Sequence, residues 1–223
     1  MGEFVTLKAS DGHALGAYVA RPEGEPIAGL VIIQEIFGVN QHIRNVTDQY
    51  AKAGFLAVAP ALFDRVERGV ELKYDGSDRE KALSFMPKIG IEAMNLDTDA
   101  AVAYARAETQ KKTGIVGYCL GGSIAWLAAV RGTVDAAVGY YGGMIAKSAD
   151  AVLKAPVILH FGSKDDHIPE EQRAKIAAAH PEVPIYLYEA GHGFNCDQKP
   201  SFEPRSAALA RERSLAFLKE HLL

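Results

Sequence analysis

Three observations place this chain in the α/β class: continuously apolar runs such as Gly29-Leu30-Val31-Ile32-Ile33, helical patterns that alternate with them, and a length of 223 residues. Runs that are apolar at every position, rather than every second one, suit strands covered on both faces. A mostly parallel sheet flanked by helices is built from such strands. With 48% hydrophobic and 23% charged content, the chain is able to bury a substantial core, and one domain over residues 1–223 is expected.

Taken in order, residues 4–7 and 13–19 flank Ser10-Asp11-Gly12 and predict an N-terminal β-hairpin at the sheet edge. A strand over 29–33 follows, then a helix over 40–53 that stops at Gly54, then a strand over 55–59. Between Pro60 and Gly90 the signals weaken, because Pro60 and Pro87 interrupt the pattern. A short helix starting near Asp78 is expected there, in a region suited to the mouth of a site. A helix over 95–109, with Leu96, Ala100, Val102, Ala103 and Ala107 on its apolar side, leads into a strand over 113–118. Further strands are expected at 136–140, 157–161 and 185–187, with a helix over about 170–180 between the last two and an amphipathic helix over about 204–222. Such sheets bind ligands beyond the carboxyl ends of their strands.

A net charge of -4 and a pI near 6.0, with Lys and Arg scattered along the chain, argue against a nucleic-acid partner. The opening Met1-Gly2-Glu3-Phe4-Val5-Thr6 lacks a basic segment followed by an apolar run, and no stretch suits a membrane span, so the expected location is cytoplasmic. The two cysteines, Cys119 and Cys196, are too few for a disulfide scaffold and lack the paired spacing of a zinc site.

The strongest local signal is Gly117-Tyr118-Cys119-Leu120-Gly121, which follows an apolar strand and precedes Gly122-Ser123-Ile124-Ala125-Trp126. Strand, Gly-x-Cys-x-Gly, helix is the form of a nucleophile elbow, a strained turn that exposes its central side chain, here a thiol in place of the usual serine. A helix N-terminus favours thiolate over thiol, and the Leu120 amide is placed to stabilise an oxyanion. The competing reading makes Cys119 a small buried apolar residue and the glycines packing devices.

A thiol nucleophile needs a base, and the order Cys, Asp, His matches the chain order of α/β-hydrolases. His192, in Ala190-Gly191-His192-Gly193-Phe194, follows the strand at 185–187, and Asp165, in Gly162-Ser163-Lys164-Asp165-Asp166-His167-Ile168-Pro169, follows the strand at 157–161. Asp166 is the rival acid. His160, inside a strand, reads as a satisfied core residue.

Gln34-Glu35-Ile36-Phe37-Gly38-Val39-Asn40, Gly117-Tyr118-Cys119-Leu120-Gly121-Gly122, Val138-Gly139-Tyr140-Tyr141-Gly142 and Ala190-Gly191-His192 together resemble the dienelactone hydrolase family over nearly the whole chain. The resemblance implies the α/β-hydrolase fold and a Cys119-His192-Asp165 triad, with Asp165 chosen because it stands four residues before Pro169 in the family's Gly-x-x-Asp-x-x-x-Pro pattern. It also implies that Glu35 lies beside the thiol and controls its ionisation until an anionic substrate rearranges the local charges. The amides of Ile36 and Leu120 would form the oxyanion hole. Arg79 aligns with an arginine that meets both the substrate carboxylate and the strand-end glutamate, and Phe37, Leu83 and Met86 would line the substrate pocket. The chain departs from the pattern at Cys196, where the family has a second carboxylate-binding arginine, at Gly193, which replaces a serine, and at Leu83 and Met86, which replace an aromatic pair.

The resulting expectation is a hydrolase of an activated ester or lactone, foremost a dienelactone opened to maleylacetate, acting through a cysteinyl acyl-enzyme without a cofactor or metal. Two alternatives stand beside it: a broader carboxylesterase or thioesterase on the same triad, and a non-catalytic ligand-binding or redox-sensing member. The expected partner is a small-molecule ester or lactone, with no nucleic acid and no membrane, and the expected assembly is a monomer or small homo-oligomer.

Overall fold

The runs that are apolar throughout become the centre of the sheet. In the computed structural model, which describes residues 2–223 and leaves Met1 outside the described residues, β3 (Gly29–Ile33), β4 (Leu56–Pro60), β5 (Thr113–Tyr118), β6 (Ala136–Tyr140) and β7 (Val157–Gly162) are buried at every position. With β1 (Glu3–Lys8), β2 (Ala14–Ala20) and β8 (Ile185–Tyr188) they form an eight-stranded sheet in the order β1-β2-β4-β3-β5-β6-β7-β8. The expected hairpin is present: β1 and β2 are antiparallel, β2 pairs antiparallel with β4, and every other pairing is parallel. This is the α/β-hydrolase architecture, a mostly parallel sheet with flanking helices.

The helices cover the sheet in pairs. α3 (Ile91–Thr109) lies over β3 and β4, and α4 (Leu120–Arg131) lies over β5 and β6. α1 (Gln41–Lys52) meets α6 (Pro204–Leu222), where Arg211 Nη2 donates to the Gln49 carbonyl at 3.1 Å. α5 (Glu170–Ala179) follows β7. Asn40 caps α1, its side chain accepting from the Ile43 amide at 3.2 Å.

Two helices differ from expectation. α2 runs from Gly76 to Ile89, not as a short helix from Asp78. The Asp75 side chain accepts from the Asp78 amide at 3.0 Å and starts the helix earlier, while Pro87 lies in the last turn and ends little helix beyond itself. Gly90, at φ +76°, then turns the chain so that α3 begins at Ile91, four residues before the expected 95.

Parallel register aligns the strand ends. Ile33 pairs with Gly117, Tyr118 with Tyr140, and Gly162 with Tyr188, so the loops after β3, β5, β6, β7 and β8 open on one edge. Among the described residues, no helix is long and apolar enough to cross a membrane.

Candidate active site

At the end of β5 the backbone turns sharply into α4, and Cys119 sits on the turn at φ +55°, ψ −112°. A non-glycine residue with positive φ carries strain that neighbouring structure has to hold. Here the hold is tight: a Cβ at Gly117 would lie 1.8 Å from the Gly121 carbonyl oxygen, and one at Gly121 would lie 2.4 Å from that of Ile33. The motif glycines therefore permit the strand, turn and helix to close on one another. The Cys119 amide donates to the Tyr140 carbonyl at 3.0 Å, and the Cys119 carbonyl accepts from the Gly122 amide at 3.0 Å.

The structure brings the predicted base and acid to this thiol. His192 Nε2 is 3.2 Å from Cys119 Sγ, and His192 Nδ1 is 2.8 Å from Asp165 Oδ2. Asp165 is 3% exposed and its Oδ1 accepts from the His167 amide at 2.9 Å, whereas the rival Asp166 is exposed. The imidazole is fixed further by the Tyr141 ring, 5.1 Å away centre to centre, and by Ser201, whose hydroxyl donates to the His192 carbonyl at 2.7 Å. Burial opposes charge on His192, but its hydrogen bonds to Asp165 and Cys119 outweigh this and push the imidazole up to about 10. Burial likewise works against the Asp165 carboxylate, yet the His192 bond and charge and the His167 amide hold it below the usual value. An imidazolium oriented by a carboxylate and held against the Cys119 sulfur is the state these interactions favour.

Cys119 opens into a cavity of about 530 Å³. Ile36 and Leu120 both line it, and Leu120 is the first residue of α4, whose amide has no partner inside the helix. Phe37, Arg79, Leu83 and Met86 line it too, the last three from α2. Arg79 is exposed, and Leu83 is 45% exposed, at the cavity rim.

The surroundings of Glu35 differ from the expectation drawn from family resemblance. Glu35 is fully buried, and its partner is neither Cys119 nor Arg79: Oε1 accepts from Lys199 Nζ at 2.7 Å, and Oε2 has no partner among the described residues. Lys199 belongs to none of the motifs that mark the site in the sequence. It lines the same cavity as Cys119, and its ammonium lies 5.3 Å from the centre of the Phe37 ring and 5.0 Å from that of Tyr74. Burial opposes its charge, but Glu35 more than offsets this and raises the ammonium above its ordinary value. Thus a cation occupies this wall although Cys196 stands where the family has an arginine. Cys196 itself is buried, and burial, reinforced by the Glu35 charge, pushes its thiol up to about 12.

His160 has the satisfied core role expected of it. It is fully buried, with Nδ1 2.8 Å from the Tyr188 hydroxyl and Nε2 3.0 Å from that of Ser214, and burial lowers it to about 3. One group of metal-capable side chains lies together among the described residues: His42, Cys196 and Asp197, with donor atoms within 4.8 Å of one another. His42 Nδ1 is 2.8 Å from Asp197 Oδ1.

The chain is similar to known proteins over nearly its whole length. The family model described as dienelactone hydrolase family matches residues 15–222. The chain belongs to the dienelactone hydrolase family. A Pseudomonas putida carboxymethylenebutenolidase is 39% identical over 97% of this chain and 95% of its own length. Carboxymethylenebutenolidase 1 of Cupriavidus pinatubonensis is 32% identical over 98% and 97%. Among solved structures, a Klebsiella pneumoniae protein superposes with a TM-score of 0.84 at 28% identity, covering 98% of this chain and 99% of its own. The dienelactone hydrolase from Anabaena variabilis, at 17% identity and a TM-score of 0.72 over 100% and 99%, shares the fold. As a dienelactone hydrolase family member, this chain is an enzyme that hydrolyses a carboxylic ester or lactone.

Proposed function

We propose that the enzyme opens an activated lactone, foremost a dienelactone to give maleylacetate, through a Cys119-His192-Asp165 triad. The observation that carries this reading is the unbroken chain of contacts from Sγ to Nε2 at 3.2 Å and from Nδ1 to Oδ2 at 2.8 Å, at the floor of a cavity. The carboxymethylenebutenolidases to which the chain is similar support the choice of lactone.

In this mechanism Cys119 Sγ bonds to the lactone carbonyl carbon, and the amides of Ile36 and Leu120 receive the oxyanion. The ring oxygen leaves as the C–O bond breaks and takes the proton that His192 carries. Water then adds to the thioester carbonyl while His192, oriented by Asp165, accepts its proton, and the thiolate departs. An enol-type leaving group suits a thiolate, which is otherwise expelled from the tetrahedral intermediate before a poor leaving group is.

Arg79 at the cavity rim is the group we assign to the substrate carboxylate, with Leu83 and Met86 as an apolar wall beside it. Hydrolysis of the dienelactone by the purified protein, lost in Cys119→Ala, is the expected outcome; lactone turnover that survives the substitution contradicts the triad. A broader esterase or thioesterase is the second reading, favoured by that apolar wall. Equal kcat/KM on neutral and carboxylated esters decides for it.

A further inference from the structure

A buried carboxylate has two ways to avoid standing alone: it is protonated, or it is paired with a cation. Glu35 is fully buried at the end of β3, and the cation is present, since Lys199 Nζ donates to Oε1 at 2.7 Å. Lys199 is itself tied down. Its ammonium is flanked by the rings of Phe37 and Tyr74, and Pro200 follows it in the chain. It also lies within electrostatic reach of both Glu35 and Cys119. With Glu35 engaged, the side chain that meets Cys119 Sγ is His192.

We propose that Lys199 is a positioning residue for the nucleophile: by holding Glu35 in an ion pair it leaves the Cys119 thiol to His192, so the thiolate-imidazolium pair forms before substrate arrives. The proton leaves Sγ for Nε2 and no other group changes its protonation. This inference rests on the triad proposed above and extends it to substrate class. A nucleophile armed in the free enzyme needs no negative charge on the substrate to activate it. Uncharged activated esters are therefore attacked through the same thiol, and a substrate carboxylate contributes to binding.

The contrary arrangement is reached by removing the ammonium. In Lys199→Met the buried Glu35 charge is left uncompensated close to the cavity, and its repulsion disfavours a negative charge on Cys119 Sγ. Lys199→Arg keeps the cation, and the double variant Lys199→Met/Glu35→Gln removes both charges together.

The test is the alkylation rate of the free enzyme by iodoacetamide, an uncharged reagent, at pH 7, followed by intact mass and peptide mapping. Lys199→Met is expected to slow labelling of Cys119 by about ten-fold, as the thiolate falls from the main form to about a tenth of the enzyme. Lys199→Arg and the double variant are expected to restore most of the rate. Lys199→Met labelling as fast as the unsubstituted enzyme overturns the inference, and so does a double variant as slow as Lys199→Met, because Lys199 then does not act through Glu35. Should Lys199→Met not fold, Glu35→Gln alone decides: labelling at least as fast as the unsubstituted enzyme agrees, and slower labelling overturns. Cys119→Ala separates the two levels. If it retains lactone turnover, the triad falls; if it is inactive while Lys199→Met labels at full rate, only the role of Lys199 falls.

Discussion

The two walls of the cavity are built in different ways. The wall that carries Cys119, His192 and Asp165 stands on the ends of β5, β8 and β7, and its side chains are bonded to one another and packed against Tyr141. The opposite wall is α2, a helix outside the sheet whose Arg79 and Leu83 are exposed. A set of groups fixed by the sheet suits bond making, where small displacements are costly. An exposed helix face tolerates substitution, so it is the natural place for substrate preference to vary. The comparison predicts that changes on the first wall reduce kcat, and that changes on the second alter KM.

The largest effect is expected at the base. His192→Ala removes the proton acceptor and the partner of the thiol together, and kcat on the lactone should fall by about 10⁴-fold. A smaller effect, on stability, is expected at the turn beneath the nucleophile. Gly121→Ala forces a Cβ to within 2.4 Å of the Ile33 carbonyl oxygen and 2.7 Å of that of Gln34, which are backbone atoms that cannot step aside. Urea unfolding should register a loss of about 3 kcal/mol, with activity lost before the fold. The smallest effect belongs to the other wall. Arg79→Gln should raise KM for a carboxylated lactone by about ten-fold, change kcat by no more than about two-fold, and leave an uncharged ester unaffected. A kcat loss in Arg79→Gln comparable to that in His192→Ala would erase the distinction between the walls.

The same division explains what was legible beforehand. Sheet strands, the elbow and the Asp165 and His192 loops each carry a local pattern, an apolar run closed by glycine and then a polar residue at the strand end, and parallel register brings those ends together. Lys199 carries no such pattern. It lies in Asp197-Gln198-Lys199-Pro200-Ser201, a loop after the histidine, and its pairing with Glu35 spans 164 residues of sequence. The signal the sequence does offer is a cation in the loop that leaves the histidine, three residues beyond Cys196. The extent of α2 is hidden in the sequence for a different reason. Its boundaries are set by the Asp75 cap and by Gly90, and Pro87, a residue that breaks helix interiors, is followed by only two more helical residues. Helices that pack on few neighbours also lack a strong apolar stripe, so their extent depends on such end signals.

The most direct measurement is to quench the enzyme within milliseconds of mixing with an uncharged activated ester and locate the acyl group by peptide mass. The account predicts one acyl group per chain, on Cys119, and none in Cys119→Ala. Turnover without any adduct on Cys119, accompanied by full activity in Cys119→Ala, would contradict it.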